Sequence, residues 1–167
     1  MIQLDLAGYA ANLPEDEVFE LAAEIINVTT EEQLREALDI RMEVFVQEQK
    51  VPADLEIDEY DTLEADAFHI LIKYDGEYAA TGRVIYYNKD SAKMQRIAVR
   101  KAYRSKGLGR VLLMAMETQA RELKLLYSVL DAQCQAEGFY SKLGYVTVSD
   151  EPFDDAGIPH VRMKKEL

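Results

Sequence analysis

Between Lys93 and Arg110 the chain carries seven basic residues and no acidic one, in a protein whose formal charge at pH 7 is −12. Inside that run stands Arg104-Ser105-Lys106-Gly107-Leu108-Gly109, then Arg110, directly before an apolar pattern of helical period. The first amides of a helix lack intrahelical acceptors and carry the positive end of its dipole, so a glycine-permitted turn leading into a helix is an anion cradle. Arg104, Lys106 and Arg110 would add ionic contacts to phosphate oxygens. Gly107 and Gly109 would let the backbone approach where a side chain would block it. These residue types at this spacing point to a phosphorylated cofactor, its pyrophosphate facing the amides from about Lys106 to Arg110.

The elements that must position this loop follow from periodicity and turn chemistry. Pro14 opens a short helix with Val18, Leu21 and Ala22 on one face, and Glu24 to Val28 is a short strand. Thr29 with Glu32 makes a capping box for a helix carrying Leu34, Leu38 and Val44/Phe45. Pro52 breaks the next stretch, and Asp54 to Asp66 is an acidic, solvated loop. Phe68 to Tyr74 and Glu77 to Tyr87 form a hairpin about Asp75-Gly76. Lys93 to Val99 is a third strand, leading into the cationic loop. Leu108, Leu112, Ala115/Met116, Ala120 and Leu123 mark a long amphipathic helix. Tyr127 to Ala132 is a strand, and Gln135 to Leu143 a short helix ended by Gly144. Tyr145 to Val148 and Val161 to Lys164 are final strands flanking a Pro/Gly/Asp-rich loop. The fold class is α/β (α+β) with a mixed sheet, not a doubly wound one.

Bulk properties narrow the function. A chain of 167 residues, 49% hydrophobic and 30% charged, fits one globular domain, 1–167, with residues 1–23 as an N-terminal extension and 24–165 as the core. The acidic balance argues against nucleic-acid binding. No apolar run approaches the roughly 20 residues needed to span a membrane, and no signal peptide is evident. A single cysteine, Cys134, excludes an intrachain disulfide and favours a cytoplasmic location. With no charged or histidine neighbour to lower its pKa, that thiol reads as inert. No His/Cys pattern suggests a metal.

The strand Arg96-Ile97-Ala98-Val99, the loop Arg104-x-x-Gly107-x-Gly109 and the long helix after it resemble the GNAT N-acetyltransferase superfamily, whose pyrophosphate loop reads [Q/R]-x-x-G-x-[G/A]. A second block, Ala132-Gln133-x-x-Ala136-x-x-Phe139-Tyr140-x-Lys142-Leu143-Gly144-Tyr145, is similar to the family's fourth-helix block. Arg41-x-x-Val44-Phe45-Val46-x-Glu48-Gln49, Asp58-x-x-Asp61, His69, Gly82-Arg83-Val84 and Gly157-Ile158-Pro159-His160 resemble the ElaA-like bacterial subgroup.

The resemblance implies a mostly antiparallel twisted sheet flanked by helices. It implies acetyl-CoA as co-substrate, no metal, and direct acetyl transfer to a primary amine in a ternary complex. It puts the pantetheine arm between two splayed strands, against the backbone of Ile97, Ala98 and Val99. An amide there would stabilise the oxyanion. The cofactor residues it implies are Ile97 to Val99, Arg104, Ser105, Lys106, Gly107, Leu108, Gly109, Arg110, Tyr140 and Lys142. Tyr140 would protonate the leaving thiolate, and Phe139 would be core. Its general base is open among His160, Glu48, Glu56 and Asp58, while His69 reads as structural. His160 has a reference pKa of about 6.5. Gln95 is a neutral amide and cannot be a base. Arg41 and Arg83 either bind substrate or cofactor or pair with local acids.

The acceptor is unidentified, a small-molecule or peptide amine. The acid-rich segment Glu48 to Asp66 suggests a cationic one, recognised through Asp58 and Asp61. A homodimer is open, since proteins of this superfamily are often dimers. A non-catalytic acyl-CoA-binding sensor or regulatory module is the alternative reading of the same residues.

Overall fold

The structure, a computed structural model, describes residues 22–167. Strand β1 (Ala23–Asn27) leads to helix α1 (Glu31–Arg41), which widens into a π-helical segment (Met42–Glu48), and a single turn α2 (Ala53–Glu56) follows. Strands β2 (Ala67–Tyr74), β3 (Glu77–Tyr86) and β4 (Ser91–Val99) form a meander. Helix α3 (Leu108–Glu122), β5 (Tyr127–Gln133), α4 (Glu137–Lys142), β6 (Val146–Thr147), β7 (Phe153–Asp155) and β8 (Ile158–Glu166) complete the chain. The helix expected from Pro14 lies outside the described residues.

The strand order is β1-β2-β3-β4-β5-β8-β6, with β7 paired to β8. β4 and β5 run parallel; the other neighbours are antiparallel. Alternation along β2 divides the core between the two faces of the sheet. Ile70 and Ile72 join Leu108, Leu112, Met116 and Ala120 of α3, whereas Leu71 joins Ala37, Ile40 and Val44 on the α1 side. The β2–β3 turn puts Asp75 and Gly76 at φ 50° and 80°, the left-handed pair that a two-residue hairpin needs.

Three expectations shift. The capping box of α1 is Thr30 with Gln33: Thr30 is extended, its hydroxyl accepts from the Gln33 amide at 3.2 Å, and the Gln33 side chain reaches back. Ala37 and Ile40, rather than Leu38, supply its fully buried face. The Pro/Gly/Asp-rich loop contains a strand, because Ala156 and Gly157 (φ 52° and 80°) close a tight hairpin between β7 and an earlier-starting β8.

Leu112 is fully buried where α3 crosses the sheet. Leu112→Ala is expected to cost about 2–5 kcal/mol of stability, read as a lower denaturant midpoint at unchanged slope.

Candidate functional site

The β4–β5 ladder runs from Ser91↔Tyr127 to Met94↔Leu130 and stops there. Beyond that point β5 stays with β8 as far as Gln133↔His160. β4 follows β3 through a bulge: the register passes from Arg83↔Gln95 to Thr81↔Ala98, so Gly82 opposes two residues, Arg96 and Ile97. Arg96 takes a left-handed φ of 54° to make this possible, a conformation costing a non-glycine residue of order 1 kcal/mol. Between the parted strands lies an open cleft of about 480 Å³, its walls including Gln95 to Val99, Asp131, Gln133, Tyr140 and His160. This is within the usual size range of small-molecule sites.

At one end of the cleft stands the cationic loop. Arg104 also lines the cleft, but its guanidinium is committed: Nε donates to the Val99 carbonyl and Nη2 to Glu48, both at 2.9 Å. It therefore ties the loop to the end of β4. Ser105 and Gly107 have φ of 64° and 76°, and Gly107 is the N-cap of α3, with no side-chain cap on that terminus. Open space at the Gly107 Cβ position means that φ, not crowding, calls for glycine there. Gly109 is different: a Cβ would meet the Phe139 ring at 3.3 Å. Phe139, expected in the core, is 40% exposed; it packs across Gly109 and stands edge-on to Tyr140 at 5.1 Å between centroids. Ser105, Arg110 and Lys142 are exposed, and the Lys106 ammonium lies 5.8 Å from the Tyr74 ring centroid.

Tyr140 is buried on α4 and borders the cleft. Burial pushes its pKa up to about 12, so it is a protonated phenol at neutral pH. His160 is also buried there, stacked on Phe153. Its Nδ1 lies 2.7 Å from the Ile158 carbonyl. A carbonyl only accepts, so Nδ1 carries the hydrogen and the neutral ring presents Nε2 as its basic nitrogen. Glu48 is held by Arg104 and is not part of the cleft wall. His69 is buried beside the Tyr60 carbonyl; burial lowers its pKa, consistent with a structural role.

The acidic segment is only in part the solvated loop expected from composition: Asp54, Glu59, Glu64 and Asp66 are exposed. Glu56 and Asp61 are buried. Arg41 donates to Glu56 Oε1 at 2.9 Å and to the two oxygens of Asp61 at 2.6 and 3.0 Å. Arg83 donates to Asp58 at 2.7 and 2.9 Å, to Asp61 at 2.9 Å and to Gln95 at 2.8 Å. Of the two roles open to Arg41 and Arg83, they take pairing with local acids. Asp58 and Asp61, expected to recognise a cationic acceptor, are spent on arginines. Arg96 completes the cluster loosely, with Nη2 3.4 Å from Asp58 and Nε 3.3 Å from Glu56. The one-dimensional signal was weak: acids three residues apart look alike whether exposed or buried, and their partners come from α1, β3 and β4.

The family model of the GNAT acetyltransferase domain matches residues 20–167, and the chain belongs to that family. It is 45% identical over 137 residues to the uncharacterized N-acetyltransferase YjcF of Bacillus subtilis, covering 81% of this chain and 94% of that protein. Among solved structures it is similar to an acyl-CoA N-acyltransferase from Pseudomonas aeruginosa (TM-score 0.75, 29% identity, 86% of this chain and 99% of that one). It is likewise similar to Escherichia coli ElaA (TM-score 0.75, 28% identity, 86% and 99%). No described helix is long and apolar enough to cross a membrane.

Asp61 gives the cluster an acid dependence. Burial raises its pKa, but the Arg41 hydrogen bonds, the Asp58 amide and the charges of Arg41 and Arg83 outweigh this and hold it well below the usual carboxylate range. A depressed folded-state pKa contributes stability that is full above the ordinary value near 3.8 and is lost as pH falls toward the folded value. Wild-type stability should therefore drop steeply below about pH 4. Asp61→Asn should be less stable at pH 7 by about 3–5 kcal/mol and show a shallower acid limb in denaturant titrations across pH.

Proposed function

We propose that the protein transfers an acetyl group from acetyl-CoA to a primary amine by direct attack in a ternary complex. The observation that carries this reading is the protonated Tyr140 phenol bordering a cleft that opens where β4 leaves β5, with the uncapped α3 N-terminus at its end. The residues present suit acetyl-CoA. The amides from Lys106 to Arg110, with Ser105 and Gly107 in left-handed conformations, form a concave anion seat. Lys106, Arg110 and Lys142 supply positive charge around it. The backbone of Ile97 to Val99, freed from β5, can pair with the peptide-like pantetheine arm as a missing strand would. The same segment offers an amide to the acetyl oxygen as it gains charge.

Two side chains complete the chemistry. Tyr140 donates its proton to the departing thiolate sulfur. The high phenol pKa ensures that the proton is there to give and returns readily from solvent after turnover. His160 Nε2 takes the proton from the attacking amine, directly or through a water. Glu48, Glu56 and Asp58 are each already occupied as acceptors for an arginine. Acetyl-CoA supplies the activated thioester; the protein supplies position, a proton donor and a proton acceptor.

Tyr140→Phe removes only the hydroxyl. It is expected to lower kcat roughly 100-fold or more in a thiol-release assay over a primary-amine panel, with acetyl-CoA affinity nearly unchanged. A variant with wild-type kcat would remove the phenol from the chemistry.

A further inference from the structure

Arg96 is the odd member of the arginine–carboxylate cluster. Arg41 and Arg83 make short, multiple bonds of 2.6–3.0 Å to carboxylates, and both are fully buried. Arg96 lies on the cleft wall and makes one hydrogen bond among the described residues, a long one of 3.4 Å from Nη2. Its Nε is buried without a hydrogen-bond partner although 3.3 Å from Glu56, whose Oε1 also takes the Arg41 bond. A guanidinium has five N–H donors in a planar fork. Most of this one's are unspent, and the backbone bears a left-handed φ to hold the residue at the bulge.

The electrostatics lean the same way. Burial first, and then the charges of Arg83 and Arg41, press the Arg96 pKa down despite Glu56 and Asp58. In Arg41 the hydrogen bonds and charges of Asp61 and Glu56 overcome burial and raise it. Arg41 is thus compensated by its neighbours and Arg96 is short of negative charge. An anion entering the cleft beside Arg96 would find a desolvated, under-paired fork. Of the acids on the cleft wall, Asp131 is engaged by Lys93 and Arg162 and Glu56 by Arg41, and Asp58 behind them is held by Arg83; among the described residues the exposed Asp155 is the cleft acid without an ion pair.

We propose that Arg96 is the substrate-carboxylate receptor of the cleft, so that one of the two reactants carries a carboxylate in addition to its thioester or its amine. This rests on the acyltransfer reading of the site and names its substrate class. The carboxylate has two possible carriers, the amine acceptor (an amino acid or an ω-amino acid) and the acyl chain of the thioester (a dicarboxylic acyl-CoA). Planar bidentate pairing makes Arg96 selective for carboxylate over carboxamide.

The test has two arms and two readouts. In the acceptor arm, α- and ω-amino carboxylates of increasing length are compared with their carboxamides, acetyl-CoA being the donor. In the donor arm, succinyl-CoA is compared with butyryl-CoA. Calorimetric binding, with the amines titrated into both free and CoA-loaded protein, and kcat/KM from thiol release are measured for wild type, Arg96→Lys and Arg96→Gln. The expected result is a preference of roughly ten-fold or more for the carboxylate partner in one arm, reduced in Arg96→Lys and abolished in Arg96→Gln. No carboxylate preference in either arm of the wild type, or one that survives Arg96→Gln, overturns the proposal. Because the binding comparison needs no turnover, failure to transfer acetyl would count against the proposed reaction without obscuring this result. If Arg96→Gln does not fold, the wild-type pairs and Arg96→Lys decide.

Discussion

The site depends on an interruption: the parallel ladder between β4 and β5 ends at Met94 and Leu130 although both strands continue. Backbone groups inside a sheet must find partners or water. β5 keeps its partners on β8 and β4 its partners on β3, so each strand faces the fork with one open edge, that of β4 running over Gln95 to Val99. The bulge at Arg96 inserts one residue on β4 against β3 and increases the local bend, which turns a register irregularity into a fork. Just below the fork, Lys93 of β4 is bonded to Asp131 of β5 at 2.8 Å, while Arg162 of β8 grips the same carboxylate. These bonds tie the strands where they are still paired, and the Gln49–Gln133 bond spans from the residue that ends the π-helical segment to the far wall.

The arginine–carboxylate cluster is what sustains that opening. Three acids from the loop after α2 and its edge meet arginines from α1, β3 and β4, which clamps an otherwise irregular segment against the bulged strand. Burying the charges of Arg41 and Arg83 is tolerable because carboxylates answer them; removing one partner would strand the other. The protein's acidity is thereby partitioned. Part of the negative charge is consumed inside the cluster, and the loop before α3 remains cationic in a chain of net charge −12. The proposed phosphate seat before α3 and the proposed carboxylate receptor at Arg96 thus draw on different cationic groups.

Most of the framework was legible in the sequence because it rests on local signals. Asp75-Gly76 marked its hairpin through positive φ, the apolar spacing from Leu108 to Ala120 marked α3, and Gly107 marked the turn before it. The GNAT family resemblance carried by the glycine loop and by the Phe139-Tyr140 block agrees with the family match. What local signals could not carry was partnership across the chain. Asp58 and Asp61 read as solvated because their arginines stand 20 or more positions away in sequence; the burial of Arg41 and Arg83 has no periodic signature. Phe139 reads as core by residue type, yet the side chain lies across Gly109 and so explains a glycine that the loop motif alone attributes to ligand approach. The short β7 was masked by residues that strands usually avoid.

The central claim is that the fork and the uncapped helix terminus together seat acetyl-CoA. Calorimetric titration of acetyl-CoA into the wild-type protein and a folded Gly107→Glu variant tests it most directly, since the variant puts a carboxylate and a Cβ at the left-handed turn of the loop. The account expects saturable one-to-one binding by wild type and a loss of at least roughly ten-fold in affinity in the variant, through repulsion of the phosphates. Absence of binding by folded wild-type protein, or equal binding by both proteins, would contradict it.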